Sequence, residues 1–364
     1  GASLILVISG FFVLLNTYYS ATEEKPVYGG TYTEGMVGQP VMINPLIANA
    51  NDVDWDLTQI VFASLLDLID NYKISNDNKT WNITLKKNLQ WSDGQDLSVA
   101  AVVFTLKTIQ DPDTRSPSFQ TWQGVTAEQL NEHEMRFKIK SPYAFFVDNL
   151  RGLKIVPKHI FGAIPHTNLK LSQYNLEPVG SGPYKFSKLT TEKDGFISQM
   201  AFAANPFYYA KAPYIANLNF RFYRDEESLI KDFNHKKISG FGGISPQNIH
   251  QIKIGHQIFN LSMPRYYAVF LNSDVNPLLQ ERELRKALAL AVDKKKIIKT
   301  VFRDYASVAD GPIPSNLIGY DRNIYQPEKL PETAAAVLEQ SGWLVNPEDG
   351  LRYTLGLDDA KQQY

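Results

Sequence analysis

The 364 residues contain no cysteine. That absence removes disulfides, thiolate metal sites, cysteine nucleophiles and a thioether-linked lipid anchor together. A surplus of either charge is also lacking, since 37 Lys and Arg face 38 Asp and Glu. No broad field draws in a phosphate backbone, so no nucleic-acid partner is expected. Catalytic signatures are missing as well: there is no G-x-S-x-G elbow, and the six histidines (133, 159, 166, 235, 250 and 256) form no H-E-x-x-H helix. His250 and His256 share no helix face and read as solvated surface residues, leaving neither a metal nor a cofactor to expect. Gly180-Ser181-Gly182 lacks the third glycine of a dinucleotide fingerprint and the Lys-Ser/Thr of a phosphate loop, and Pro183 follows it. It reads as a turn. The pairs Glu23-Glu24 and Glu226-Glu227 read as exposed charge. No repeat of fixed period occurs, which excludes solenoids and propellers.

What is present is ordinary folded protein with a distinctive start. Apolar residues make up 44% and charged residues 21%, near the average for soluble domains. The length exceeds the roughly 250 to 300 residues at which one core stops growing, so at least two domains are expected. From Ser3 to Tyr19 there is no charge. The dense run Leu4 to Leu15 suits a signal-peptide core, and the longer stretch reaches the lower limit, about 17 residues, for a spanning helix. Tyr19-Ser20-Ala21 puts a bulky ring where a cleavage site needs a small residue, which favours an uncleaved anchor over residues 3–19. The missing positive flank suggests that residues precede Gly1. Aromatics reach 12%, and many sit beside Gly, Pro or Asn, where loops can aim rings at a ligand.

Periodicity predicts a strand over 29–35 and a helix over 54–68. A strand over 81–85 leads to the Trp91-Ser92-Asp93-Gly94 turn and to a helix over 99–109 that Ser98 caps. A strand over 135–139 and a helical pattern over 143–150 complete a small α+β region. Beyond the turn at 178–184, strands are expected at 185–189, 196–202 and 218–223. A helix over 226–233 and a strand-like run at 238–244 follow. An apolar strand at 266–271 precedes helices at 281–291 and 294–302, the second capped by Asp293.

Together, several segments resemble the bacterial extracellular solute-binding proteins of family 5, the oligopeptide-, dipeptide- and nickel-type substrate-binding components of ABC importers. They are Gly29-Gly30-Thr31-Tyr32 with Glu34-Gly35, Asn44-Pro45-Leu46, Trp91-Ser92-Asp93-Gly94 with Val102-Val103-Phe104-Thr105, Ile155 to His159, Pro178 to Tyr184, Asn205 to Tyr209, and Arg285 to Asp293. The resemblance covers about residues 27 to 345. It implies an α/β, two-lobe periplasmic-binding-protein-like fold (type II, cluster C-like) with an inserted α+β subdomain and an incomplete second lobe. The expected division is an anchor or signal peptide at 1–22, lobe I at 27–46 and 176–262, the subdomain at 47–175, and the first part of lobe II at 263–364. Members continue past Ser341-Gly342-Trp343, and the segment after Ile69 is shorter here than in the family.

The implied function is capture of a peptide by hinge closure and its delivery to a membrane permease and ATPase, outside the cytoplasm, by a monomer. Ligand contacts are expected at Glu34 and Gly35, at Tyr266 and Tyr267, and at Trp122. Gly180, Gly182, Pro183 and Tyr184 are expected to be structural. Other readings are a binding protein for a nickel complex or oligosaccharide, a surface protein that kept the fold but lost the pocket, and a membrane-anchored hydrolase. The hydrolase would need a nucleophile, base and oxyanion donors that cannot be assembled from this sequence.

Overall fold

The computed structural model describes residues 2–23, 25–47, 51–261, 266–309, 311–313, 317, 320–321, 323–324, 333–355 and 361–363, with side chains from residue 7 to 354. The chain divides into two compact units, Gly1–Ile244 and Ser245–Tyr364, a boundary that lies ahead of the expected lobe boundary at 262/263.

The first unit begins with helix α1, Ala2–Ala21, twenty residues without a charge. At 1.5 Å per residue it is about 30 Å long. Most of its described apolar side chains are exposed, Leu14 by 71%. Among the described residues, whose side chains in α1 begin at Val7, no helix is long and apolar enough to cross a membrane.

Strand β1 (Gly29–Val37) follows, then α2 (Asp52–Val61) and α3 (Leu65–Leu68). The single helix expected over 54–68 is broken. Phe62 turns to an extended conformation and Ser64 starts a new turn, its hydroxyl accepting from the Asp67 N–H while the Asp67 carboxylate accepts from the Ser64 N–H. The reciprocal bonds of this capping box make a fresh helix start locally favourable.

Strands β2 (Ile69–Ile74) and β3 (Thr80–Leu85) pair as a hairpin. Helix α4 (Val99–Gln110) lies beyond, with Val102, Leu106 and Ile109 on its buried face. Ser98 occupies the cap position, but its hydroxyl makes no capping bond, so that expectation is only half met. A short α5 (Phe119–Trp122), strands β4 (Thr126–Gln129) and β5 (Glu134–Lys138), and helices α6 (Phe146–Gly152) and α7 (Lys158–Phe161) complete the region. The four strands form an antiparallel sheet in the order β2-β3-β5-β4. Under it four rings pack edge to face or tilted: Trp81 against Phe146 at 5.0 Å, Trp122 against Phe146 at 6.0 Å and against Phe137 at 6.3 Å.

The chain leaves this region near where it came in. The buried Asn44 side-chain amide donates to Asn175 Oδ1 at 2.9 Å, and the Ile43 N–H donates to the Asn175 carbonyl at 2.7 Å. Strands β6 (Tyr184–Thr191), β7 (Ile197–Ala204) and β8 (Ile215–Tyr223), helix α8 (Glu226–Asn234) and strand β9 (Gly240–Phe241) then build a second sheet. Its order is β6-β7-β8-β1-β9, with β1 parallel to both β8 and β9. The first strand of the chain thus lies inside the sheet.

The second unit holds α9 (Arg282–Ala291), α10 (Lys294–Val301), α11 (Ala334–Gln340), and strands β10 (Leu344–Val345), β11 (Arg352–Leu355) and β12 (Lys361–Gln363) in an antiparallel sheet. Asp293 caps α10 by accepting from the Lys296 N–H at 2.8 Å. The strand expected at 266–271 is not one: these residues have no regular structure, and Val269 and Phe270 are more than 80% exposed. A continuous apolar run becomes a strand only where a neighbouring strand satisfies its backbone, and no described residue pairs with it.

Candidate functional site

In a strand, residues two apart share a face. On β1 this puts Tyr32 beside Glu34, and the Tyr32 hydroxyl donates to Glu34 Oε2 at 2.9 Å. Glu34 stands opposite Gly240 of β9, where any Cβ would overlap the Tyr32 hydroxyl. A larger residue there would have to displace the Tyr32 ring from this position. The backbone continues past an open stretch, since a Cβ at Gly242 or Gly243 would meet nothing within 4 Å.

Burial pushes the Glu34 carboxyl above the usual carboxylate range, and the charge of Asp56 adds to that rise, while the Tyr32 hydrogen bond opposes it. Burial and the neighbouring Glu34 push the Tyr32 phenol up to about 12. Asp56 sits on α2 next to Trp55, which is 61% exposed. Helix α2 is fixed from its start. The Asn51 carbonyl oxygen of the side chain accepts from the Val53 N–H at 3.0 Å, and the Asn51 amide donates to the Gln39 carbonyl at 3.1 Å. Asp54 accepts from the Val41 N–H at 2.8 Å. The result is an acidic wall, held on a sheet strand and a capped helix, with open backbone beside it.

Gly35 is next to Glu34 in sequence but faces the other way: a Cβ there would come within 2.5 Å of Ile238 Cδ1, on the side where Leu229 of α8 packs. Trp122 is 2% exposed and fills the core of the four-stranded sheet. Tyr266 and Tyr267 lie in the second unit, 42% and 85% exposed, with the Tyr267 ring 5.3 Å from that of Phe302.

The turn at 180–184 joins three segments. The Gly182 N–H donates to the Val61 carbonyl at 2.7 Å, the Ser92 N–H to the Gly180 carbonyl at 2.8 Å, and the Asn205 amide to the Gly182 carbonyl at 2.9 Å. A Cβ on Gly180 would overlap the Val61 carbonyl oxygen, and one on Gly182 would lie 2.6 Å from that of Ile60. Tyr184 is buried and donates to the Ile215 carbonyl at 3.1 Å. His159 pairs with Asp93 at 2.8 Å in the neighbouring Trp-Ser-Asp-Gly loop.

Sequence reasoning named Glu34 but missed Tyr32, Asp56 and Gly240. The first was legible from strand alternation. The other two come from elements distant in the chain, and no local signal marks them. Among the described residues no group of three or more His, Asp or Glu could hold a metal ion.

The profile of "Bacterial extracellular solute-binding proteins, family 5 Middle" matches residues 66–363. The chain belongs to this family of solute-binding proteins. Its relatives include the oligopeptide-binding protein AppA of Bacillus subtilis, 25% identical over 347 residues, covering 90% of this chain and 62% of AppA. Among solved structures, the ABC transporter substrate binding protein CtaP of Listeria monocytogenes superposes with a TM-score of 0.71 at 26% identity, over 86% of this chain and 66% of that one. B. subtilis AppA in complex with a nonapeptide superposes with a TM-score of 0.67 at 23% identity, over 93% and 68%, a likeness of fold. These are two-lobe binding proteins, and the family is one of binders rather than enzymes. This family 5 chain spans 62% and 56% of the length of the first two curated relatives it matches.

Proposed function

We propose that this family 5 protein is the peptide-capturing component of an ABC importer. It would take its ligand in an interlobe cleft by hinge closure, as a monomer, and pass it to a permease and ATPase. The observation that carries the reading is Glu34, a partly buried carboxylate beside Tyr32 with Asp56 near it. A negatively charged wall of this kind attracts the free amino terminus or a basic side chain of a peptide. Open backbone at 242–243 suits main-chain pairing with an extended chain whatever its side chains. Gly35, Tyr266 and Tyr267 remain proposed contacts, with Gly35 acting through its backbone. Trp122, expected as a ligand contact, is buried in the subdomain core and is not proposed as one. The lobe and subdomain boundaries stated above are part of the same proposal. The apolar α1 would anchor the protein on the outer face of the membrane.

A thermal-shift screen of the whole gene product, with residues 1–22 removed, against pooled di- to octapeptides, oligosaccharides and nickel complexes tests this. The expected result is a saturable rise with peptides alone. No rise from any pool, in a protein that melts cooperatively, contradicts it and favours a surface protein that lost its pocket.

A further inference from the structure

A cavity of about 340 Å³ opens between the loop after β3 and the loop joining β7 to β8. It lies away from Glu34 and Asp56, neither of which lines it, and none of its nine lining residues is acidic. Lys86, Lys87 and Gln90 approach from one side, and Phe207, Tyr208 and Tyr209 from the other.

Both walls are held in place. The second is anchored by the buried Asn205, whose carbonyl oxygen accepts from the Phe207 N–H at 3.0 Å while its amide donates to Gly182. Tyr208 and Tyr209 pack edge to face at 4.6 Å. Lys86 lies with its ammonium 4.4 Å from the centre of the Tyr209 ring and donates to the Asp67 carbonyl at 2.6 Å. Asn88 closes the turn in the left-handed conformation, φ 56°, which asparagine tolerates better than most residues. Lys87 makes no hydrogen bond or ion pair to any described residue. The carboxylate of Asp67, which acts on Tyr209 from a distance, is itself occupied by the Ser64 N–H and hydroxyl at 3.2 and 2.7 Å.

Lys86, Lys87, Gln90 and the two tyrosines therefore line a space the size of a small metabolite with no lining carboxylate to neutralise the lysines; the Tyr208 hydroxyl donates to that of Tyr209 at 3.4 Å and the Gln90 amide to the Gly94 carbonyl at 3.3 Å. A phosphate monoester carries close to two negative charges at neutral pH and several acceptor oxygens, and it matches that set better than a singly charged carboxylate. We infer that this cavity is a second ligand site, which takes the phosphate group of a small solute between Lys86, Lys87 and the Tyr208-Tyr209 pair. Occupancy bridges the four-stranded and five-stranded sheets.

Isothermal titration of the whole chain with glucose 6-phosphate, glucose and acetate tests this. Lys87→Met, which alters an exposed and unpaired side chain, is compared with Lys170→Met, on a different exposed surface. The result expected is saturable binding of glucose 6-phosphate alone, weakened at least tenfold by Lys87→Met and unchanged by Lys170→Met. Equal binding of glucose or acetate, equal affinity in the two variants, or no binding to the wild-type chain overturns the assignment. A melting curve on each variant shows that the fold is retained.

Discussion

At the scale of single residues, Glu34 is held at a cost. Because burial raises its carboxyl above the value of an unfolded chain, the folded state favours its protonated form. The stability it contributes is present at low pH and is lost as pH rises through the folded value. Glu34→Gln keeps an acceptor for the Tyr32 hydroxyl but cannot ionise. The variant is expected to melt above wild type at pH 8, the gap closing as pH falls through the folded carboxyl value. Thermal melts from pH 4 to 8 read this directly, and a variant that melts below wild type at pH 8 contradicts the account. Destabilised charge of this kind is common where a ligand later supplies the partner.

Gly180 shows the opposite case, a residue fixed by space rather than charge. A methyl group there overlaps the Val61 carbonyl oxygen. Gly180→Ala is expected to destabilise by about 3 kcal/mol, the upper range for overpacking, measured as a fall in the denaturation midpoint. An effect below about 0.5 kcal/mol, as at ordinary surface positions, would show that the turn can move.

At the scale of elements, the neck formed by Asn44 and Asn175 decides how the inserted region is attached. Asn175 is 3% exposed, accepts from Asn44, and donates through its amide to the Leu169 carbonyl at 2.9 Å. Asn175→Leu leaves the buried Asn44 amide and the Leu169 carbonyl without these partners, at about 1–3 kcal/mol each. Urea unfolding should show the loss, while the double change Asn44→Leu with Asn175→Leu should cost less than the sum of the two singles. Strict additivity would mean that the two amides do not act as a pair.

The elements also show how far the sequence could be read. Hydrophobic alternation placed β3, β5 and β8 because each has a buried and an open face, and caps placed α10 through Asp293. The break after Val61 was hidden because Leu65 and Leu68 continue the apolar spacing, while the capping box that ends it depends on Ser64 and Asp67 being read together. Residues 266–271 carry the pattern of a strand without a partner. Which strands neighbour β1 could not be read at all: β8 and β9 reach it from about two hundred residues away, through pairing that leaves no local mark. For the same reason Glu34 was legible as a strand-end acid, but Asp56 and Gly240, which complete its surroundings, were not.

At the scale of the molecule, the account rests on a negatively charged wall in the first unit serving a peptide. Acetylating the amino terminus of a peptide removes its terminal cation and little else. The most direct measurement is the affinity of the whole gene product, without residues 1–22, for a peptide it captures and for its N-acetylated form, in wild type and Glu34→Gln. The account predicts that acetylation weakens binding to wild type about tenfold or more, roughly 1.4 kcal/mol, and that this difference shrinks in Glu34→Gln. Equal loss on acetylation in both proteins would contradict the role given to Glu34.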